Sequence, residues 1–155
     1  MPITLAHKNN HSQKIANELT HFLADTYTLY LKTQNFHWNV TGPHFHSLHQ
    51  MFEEQYKELA EAVDMVAERI RALKCVALAS FSHFLKLSSI KEENGVPATK
   101  DMLKQLLRNH EAIVQHAYVI VAKAQKVHDE ATVDVMIERI REHEKAAWML
   151  RSSIE

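Results

Sequence analysis

The sequence predicts an all-α protein built as one bundle of long helices. Its 155 residues amount to a single domain with a sizeable core. Two glycines and three prolines are too few for the many turns of an all-β fold. Apolar residues recur at every third or fourth position over long stretches, which is the period of an amphipathic helix. We expect one domain over residues 1–155, of which about residues 1–10 form a short N-terminal tail.

Four long helices and one short apolar segment follow from this periodicity. The first helix ends before Gly42-Pro43, a pair that breaks helices. The second helix carries the clearest stripe, with apolar side chains from Leu48 to Leu73 at spacings that alternate between three and four almost throughout. The predicted long helices cover about residues 10–39 and 47–74, then begin near Thr99 and near residue 131; the short apolar piece covers residues 81–87.

The lengths of the connections predict the topology. Helices one and two are joined by about six residues, and helices three and four by about four, so each pair should form an antiparallel hairpin. About 24 residues separate helices two and three, which is enough to run the length of a bundle. This favours two hairpins joined by a long crossover over a simple up-down-up-down bundle. The apolar piece would then be a short extra helix inside the crossover.

Composition argues against several classes of function. Lys plus Arg total 18 and Asp plus Glu total 19, so the net charge near −1 does not favour binding nucleic acid through bulk charge. The one cysteine, Cys75, cannot form an intrachain disulfide. No apolar run approaches the roughly 20 residues that cross a bilayer, and the N-terminus lacks the apolar core of a signal peptide. The sequence therefore predicts a cytoplasmic protein with no membrane partner.

Paired donors on the second helix indicate metal chemistry, in a chain with twelve histidines. His49 and Glu53 are four residues apart, as are Asp64 and Glu68, so each pair shares a helix face. His49 and Asp64 are 15 residues apart, or roughly 22 Å of helix, so the two pairs cannot bind one ion within a single chain. A solvated face is the alternative interpretation of these carboxylates. A di-iron centre inside one chain is disfavoured, because Glu18-Leu19-Thr20-His21 is a single Glu-x-x-His match.

A twofold dimer would bring the separated donors together. His37 lies near the end of the first helix, so it should lie beside His49 and Glu53 at one end of the hairpin. If two copies of the second helix pack antiparallel, this end meets the partner's Asp64 and the partner's Glu68. Such a dimer would contain two identical sites of nitrogen and oxygen ligands, which suit iron, zinc or manganese.

These residues resemble the Dps family of mini-ferritins, the DNA-binding proteins from starved cells. The resemblance extends over about residues 15–154. Its motifs are Asn35-Phe36-His37-Trp38-Asn39-Val40 with Gly42-Pro43 and Phe45, then His49, Glu53 and Asp64-Met65-Val66-Ala67-Glu68-Arg69, and finally Asp129-Glu130-Ala131-Thr132-Val133-Asp134 with Glu144-Lys145 and Trp148-Met149-Leu150. The combination of the histidine–tryptophan–asparagine string with the spaced Asp/Glu pair is highly specific.

The resemblance implies a ferritin-like four-helix bundle whose long crossover carries a short extra helix between helices two and three. It implies a dodecamer, a hollow shell that oxidises Fe(II), usually with hydrogen peroxide, and stores the ferric mineral. Iron is the implied metal, and zinc or manganese could replace it. The alternative function is a DNA-compacting structural protein of starved cells with little iron turnover, which would be associated with the nucleoid.

The resemblance also implies site residues. Ferroxidase centres would lie at twofold interfaces, and Trp38 would pack beside each centre and scavenge stray electrons. Acidic residues at the start of the last helix would line pores through which Fe(II) enters, with a solvated acidic face as the alternative. The implied ligands are His37, His49 and Glu53 of one chain with the partner's Asp64 and the partner's Glu68, and the pore candidates are Asp129, Asp134, Glu138 and Glu142.

Three departures from the family pattern carry expectations of their own. Glu53 stands where the family commonly has aspartate, which changes the reach of that carboxylate. The segment Leu73-Lys74-Cys75-Val76 lacks the glycines that often follow the second helix, so a left-handed turn residue there would be strained or absent. The first ten residues contain one lysine, Lys8, so DNA binding through a basic tail should be weak.

Among the other histidines, His110 and His143 lie on apolar stripes and are predicted to be packed in the core.

Overall fold

The structure, a computed structural model, is an assembly of five α-helices and describes residues 5–155, with side chains from residue 10 onward. No strand occurs in this described part of the chain. The prediction of an all-α fold with a short extra helix in the crossover is confirmed. The helices are α1 (Leu5–Asn39), α2 (Phe45–Ala72), α3 (Phe81–Leu87), α4 (Thr99–Lys126) and α5 (Glu130–Ile154).

Helix α1 is longer than the sequence predicts. It begins at Leu5 rather than near residue 10. Residues 5–10 contain neither glycine nor proline, so nothing in the local sequence stops the helix there. The predicted tail over about residues 1–10 therefore overlaps this helix in part, while residues 1–4 lie outside the described part of the chain.

The core lies between two antiparallel hairpins. Helix α1 pairs with α2 and α4 pairs with α5; α1 also packs on α4, and α2 on α5. Each large apolar side chain buried in this core contributes roughly 1.5–3 kcal/mol to the stability of the fold. No helix within residues 5–155 combines the length and apolar character needed to span a bilayer. Fully buried side chains come from all four long helices and include Phe22, Phe36, Phe52, Leu106 and Met136.

Polar contacts hold the crossover against the bundle. The Asp25 carboxylate accepts hydrogen bonds from the Ser89 backbone N–H at 2.7 Å and from the Ser89 hydroxyl at 2.9 Å. Lys32 is buried and donates from Nζ to the Lys91 carbonyl and to Asn109 Oδ1, both at 2.9 Å. These contacts fix the path between α3 and α4, so α3 lies against α1.

Two turns use left-handed residues that are not glycine. Lys74, after α2, has φ 65°, and His128, between α4 and α5, has φ 57°. The left-handed turn residue expected after α2 is therefore present, and Lys74 adopts it at a steric cost that a glycine would avoid. At the α1–α2 turn the left-handed position belongs to Gly42, with φ 108°.

Candidate metal centre

The α1–α2 turn brings His37 and His49 into direct contact. Phe36 on α1 and Phe52 on α2, close to these histidines in the sequence, are completely buried in the core. His37 is itself 5% exposed. The two imidazole rings stack with centroids 3.8 Å apart and planes 14° from parallel.

Reciprocal hydrogen bonds orient the two rings. His37 Nδ1 lies 2.6 Å from the His49 carbonyl oxygen, and His49 Nδ1 lies 2.8 Å from the His37 carbonyl oxygen. A carbonyl can only accept, so each Nδ1 must carry the proton and donate it. Each Nε2 is then left with its lone pair, the form that binds a metal ion. The turn therefore presents two preoriented nitrogen ligands.

The Glu53 carboxylate lies one helical turn after His49 on the same face of α2. Its side chain is 41% exposed, and Glu53 Oε2 lies 3.6 Å from Lys57 Nζ. This exposed ion pair is weak. A divalent cation at the histidines could therefore compete with Lys57 for the carboxylate at little cost.

A single chain does not complete a ligand set. Asp64 and Glu68 are exposed on α2, and Asp64, the nearer of the two, lies roughly 22 Å further along the helix from His49. Among the side chains that the structure describes, no three His, Cys, Asp or Glu groups converge on one metal position. The fold thus brings His37 and His49 together with Glu53 nearby, and it leaves Asp64 and Glu68 at the other end of α2.

Within the chain, the aromatic rings that contact the two histidines are Tyr56, on His37, and Phe45, on His49, rather than Trp38. Trp38 is 62% exposed, and none of the aromatic contacts among the described side chains involves it. The ring of Tyr56 packs edge-on to His37 with centroids 5.2 Å apart. Sequence reasoning treated Tyr56 only as part of the apolar stripe. Its position two turns after His49, on the same face, was the available signal.

The acidic residues proposed for a pore differ in how free they are. Asp129 caps α5, because its carboxylate accepts from the Thr132 backbone N–H at 3.1 Å. It also forms an ion pair with Arg69 at 2.9 Å. Asp134 and Glu138 are exposed, whereas Glu142 is half-buried. Asp129 therefore already has a structural role, and the pore assignment remains a prediction for all four residues.

The Glu-x-x-His match on α1 is engaged elsewhere. Glu18 forms ion pairs with Lys123 and, at 3.4 Å, with His116. His21 Nδ1 lies 3.3 Å from the Leu87 carbonyl oxygen. These contacts give both side chains structural partners in α3 and α4, so the structure offers no pairing of Glu18 with His21.

A second histidine pair is buried between α4 and α5. His110 and His143 are 2% and 1% exposed, as predicted for core histidines, and their Nδ1 atoms lie 2.9 Å apart. Arg139 donates from Nη2 to His143 Nε2 at 3.0 Å and is paired with Glu58 on α2. Burial, together with the nearby Arg139 charge, lowers the pKa of His110 to about 3. Burial, with the neighbouring His110 and Arg139, also holds the pKa of His143 well below its ordinary value.

Comparison with known proteins gives the family. The family model for the ferritin-like domain matches residues 16–155. An uncharacterized low temperature-induced protein of Nostoc sp. is 41% identical over 145 residues, spanning 92% of this chain and 81% of the relative. The DNA protection during starvation protein 2 of Bacillus anthracis is 35% identical over 141 residues, spanning 91% of this chain and 97% of the relative.

A solved structure agrees with these sequences. The crystal structure of the Dps protein of Vibrio cholerae O1 superposes with a TM-score of 0.91 at 35% identity, covering 95% of this chain and 92% of that one. That protein is described as a member of a broad superfamily of ferritin-like diiron-carboxylate proteins. The chain therefore belongs to the ferritin-like family and, within it, to the Dps proteins.

Proposed function

We propose that this chain is the subunit of an iron-storing mini-ferritin that oxidises Fe(II) at centres shared between two subunits. The observation that carries the proposal is the His37–His49 pair, whose Nε2 atoms are both left free by the reciprocal Nδ1 bonds. Glu53 adds a carboxylate one turn away. Imidazole and carboxylate together suit iron, and also zinc or manganese.

The incompleteness of the ligand set in one chain supports a shared centre. Asp64 and Glu68 lie on the same helix as His49 and Glu53, at its far end. An antiparallel approach of two α2 helices across a twofold axis would place the partner's Asp64 and the partner's Glu68 opposite the histidines. Each dimer would then have two equivalent centres, and a closed dodecamer of such dimers would enclose the mineral.

The proposed reaction uses iron as substrate and hydrogen peroxide as oxidant. Two Fe(II) ions give one electron each; the O–O bond of one peroxide breaks, and two protons from solvent complete two waters. The products are two Fe(III) ions, and no hydroxyl radical is released. Anionic carboxylates favour the ferric product over the ferrous substrate, while the fixed imidazoles hold the ions in place.

Protection of DNA would follow from removing iron and peroxide rather than from coating the nucleic acid. Relatives are named for DNA protection during starvation, but a net charge near −1 supplies little attraction for phosphate. We expect at most weak, salt-sensitive retardation of duplex DNA in a gel. Strong retardation at physiological salt would favour the alternative of a DNA-compacting protein.

Iron retention by purified protein tests the proposal. Protein loaded anaerobically with Fe(II) and then given peroxide should elute as a particle of about twelve subunits that carries ferric iron. The variant H37A/H49A should elute at the same size with much slower oxidation. A matched control is H44A/H46A, which changes two exposed histidines beside the same turn. Equal rates in H37A/H49A and wild type would remove the assignment of the centre.

A further inference from the structure

Three of the four tyrosines form one continuous series that starts at the candidate metal centre. The Tyr56 ring lies 5.2 Å from the His37 ring, centroid to centroid. Tyr30 lies 6.0 Å from Tyr56, and Tyr27 lies 5.6 Å from Tyr30. All three contacts are edge-to-face pairs whose centroid separations are those of packed aromatic rings. Electrons pass readily between rings packed this closely.

Helix geometry explains why the series is continuous. Tyr27, Tyr30 and His37 are spaced by three and seven residues, so they share one face of α1. Tyr56 projects from α2 across the same seam and bridges the gap between Tyr30 and His37. Gln34, on the same face, donates from Nε2 to the Tyr30 hydroxyl at 3.1 Å and holds that ring in place.

The far end of the series reaches the surface. Tyr27 stacks on Phe84 of α3 at 5.0 Å and lines a partly open cavity of about 250 Å³ between α1 and the crossover. Ten residues of α1 separate Tyr27 from His37, or about 15 Å. An oxidising equivalent that reached Tyr27 would therefore lie well away from the iron.

We propose that Tyr56, Tyr30 and Tyr27 form an electron-donor relay that supplies the second electron to peroxide when the centre holds a single Fe(II). This inference rests on the proposed ferroxidase function. One Fe(II) gives one electron and Tyr56 gives the other together with its phenol proton. The O–O bond breaks, one proton is taken from solvent, and two waters form. The products are Fe(III) and a neutral tyrosyl radical, which moves to Tyr30 and then to Tyr27 by exchange of an electron and a proton.

Direct contact with the His37 ring makes Tyr56 the first donor of the relay. Within one chain, Trp38 has no ring contact with His37 or His49 among the described side chains. Tyr56 is half-buried and touches the ligand ring directly. Electron transfer falls off steeply with separation, so the contacting ring reacts first.

Freeze-quenched EPR of the assembled protein tests the relay. Protein loaded with one Fe(II) per centre is mixed with hydrogen peroxide, and ferric formation is followed by absorbance in the same samples. We expect wild type to show a tyrosyl signal and Y56F to lose it, while both form ferric iron to the same extent. Y118F is the matched control, because Tyr118 is exposed on α4 and lies outside the series.

A second variant locates the end of the relay. A nitroso spin trap added after peroxide should mark Tyr27 in wild type, as read by mass spectrometry of the digested chain. Y30F interrupts the series, so the adduct should move to Tyr56. The relay is overturned if Y56F forms ferric iron normally and keeps an unchanged tyrosyl signal. It is also overturned if ferric formation is normal and the radical is lost only in W38F. Absence of ferric formation in wild type instead overturns the proposed function on which the relay depends.

Discussion

The two histidine pairs of this bundle differ in what their ring nitrogens contact. At the α1–α2 turn, each Nδ1 of His37 and His49 donates to a backbone carbonyl, which leaves the lone pair of each ring on Nε2. In the core, the Nδ1 atoms of His110 and His143 bond each other. His143 Nε2 accepts from Arg139 there, so its nitrogens are used within the protein.

This difference teaches that the partner of Nδ1, rather than burial, decides what a histidine pair can do. His37 is nearly as buried as His143, at 5% against 1% exposed. Backbone carbonyls hold the proton of each ring of the turn pair on Nδ1 and leave Nε2 in the form that can bind a metal ion. In the core, Arg139 can only donate, so the His143 proton lies on Nδ1 and is donated to His110. That arrangement joins α4 to α5 and favours two neutral rings.

Removing Arg139 should break the core pair and produce the largest loss of stability. Its side chain is 3% exposed, and R139A leaves Glu58 and His143 Nε2 without their donor. Breaking a buried ion pair costs about 3–5 kcal/mol. We expect R139A to lower the free energy of unfolding by about 3 kcal/mol, the low end of this range, because water can reach the partly exposed Glu58. Urea unfolding at matched protein concentration measures the change in the free energy of unfolding.

The control for R139A is R151A, because Arg151 and Glu111 form an ion pair in which both side chains are about half exposed. We expect R151A to cost less than about 1 kcal/mol. Iron oxidation at the turn pair should survive R139A at temperatures where the variant is folded. Equal stabilities of the two variants would show that the core network contributes no more than a surface pair.

Acid should destabilise the core pair next most strongly. Burial keeps the pKa of His110 near 3 and that of His143 well below its ordinary value. The unfolded chain takes up protons near pH 6.5, whereas the folded rings do not. The contribution of these two neutral rings to the free energy of unfolding is therefore fully present above pH 6.5. It falls as the pH drops towards 3, by up to about 1.4 kcal/mol per pH unit for each ring.

Urea unfolding between pH 7 and pH 5 measures this slope with little interference. Asp25 and Glu18 have lowered pKa values and stay ionised in that range. The pKa of His116 is raised by its hydrogen bond to Asp25, so its contribution changes only above pH 6.5. H110L/H143L should flatten the slope below pH 6.5, whatever its absolute stability. A slope equal to that of wild type would mean that the two rings are protonated in the fold.

The turn pair is tested by its neighbouring carboxylate. E53Q keeps the size of the side chain, removes its charge and should weaken binding of Co(II), a spectroscopic substitute for Fe(II). We expect a loss of roughly 10–100-fold, at least what a supporting residue costs in other metal sites. E54Q is the control, because Glu54 is exposed one position further round the helix. An equal loss in both variants would mean that only general negative charge attracts the metal.

Much of the fold was predictable because it depends on local pattern. The stripe from Leu48 to Leu73 and the breaker at Gly42-Pro43 define α2 and the first turn without any tertiary information. The long crossover followed from counting residues, and α3 from the apolar run at residues 81–87. The start of α1 was missed because residues 5–10 contain no strong signal for or against a helix.

The site was less predictable, because its chemistry depends on contacts across the seam. Spacing placed His37 and His49 at one end of the hairpin, but it could not show that each Nδ1 would reach the other residue's carbonyl. It also could not show that Tyr56 would touch His37. The spacing of four residues places Arg139 and His143 on the same face of α5. From sequence alone, however, a charged residue such as Arg139 is assigned to the surface, so its buried contact with His143 was not predicted.

The smallest expected effect is on the free energy of unfolding alone, from replacing a strained turn residue with glycine. Lys74 holds a left-handed conformation after α2, and its backbone would suffer no strain as glycine. The strain relieved, about 1–2 kcal/mol, is partly offset by the greater freedom of glycine in the unfolded chain. K74G should therefore stabilise the fold by about 0.5–1 kcal/mol in urea unfolding. H128G offers the same test between α4 and α5, and K126G is the control, since glycine at the end of α4 should destabilise.

Neither left-handed site touches a histidine pair, so Co(II) affinity and the acid slope should both remain at their wild-type values. A change in either would mean that the turns transmit strain to the pairs, and the two regions could then no longer be treated as independent.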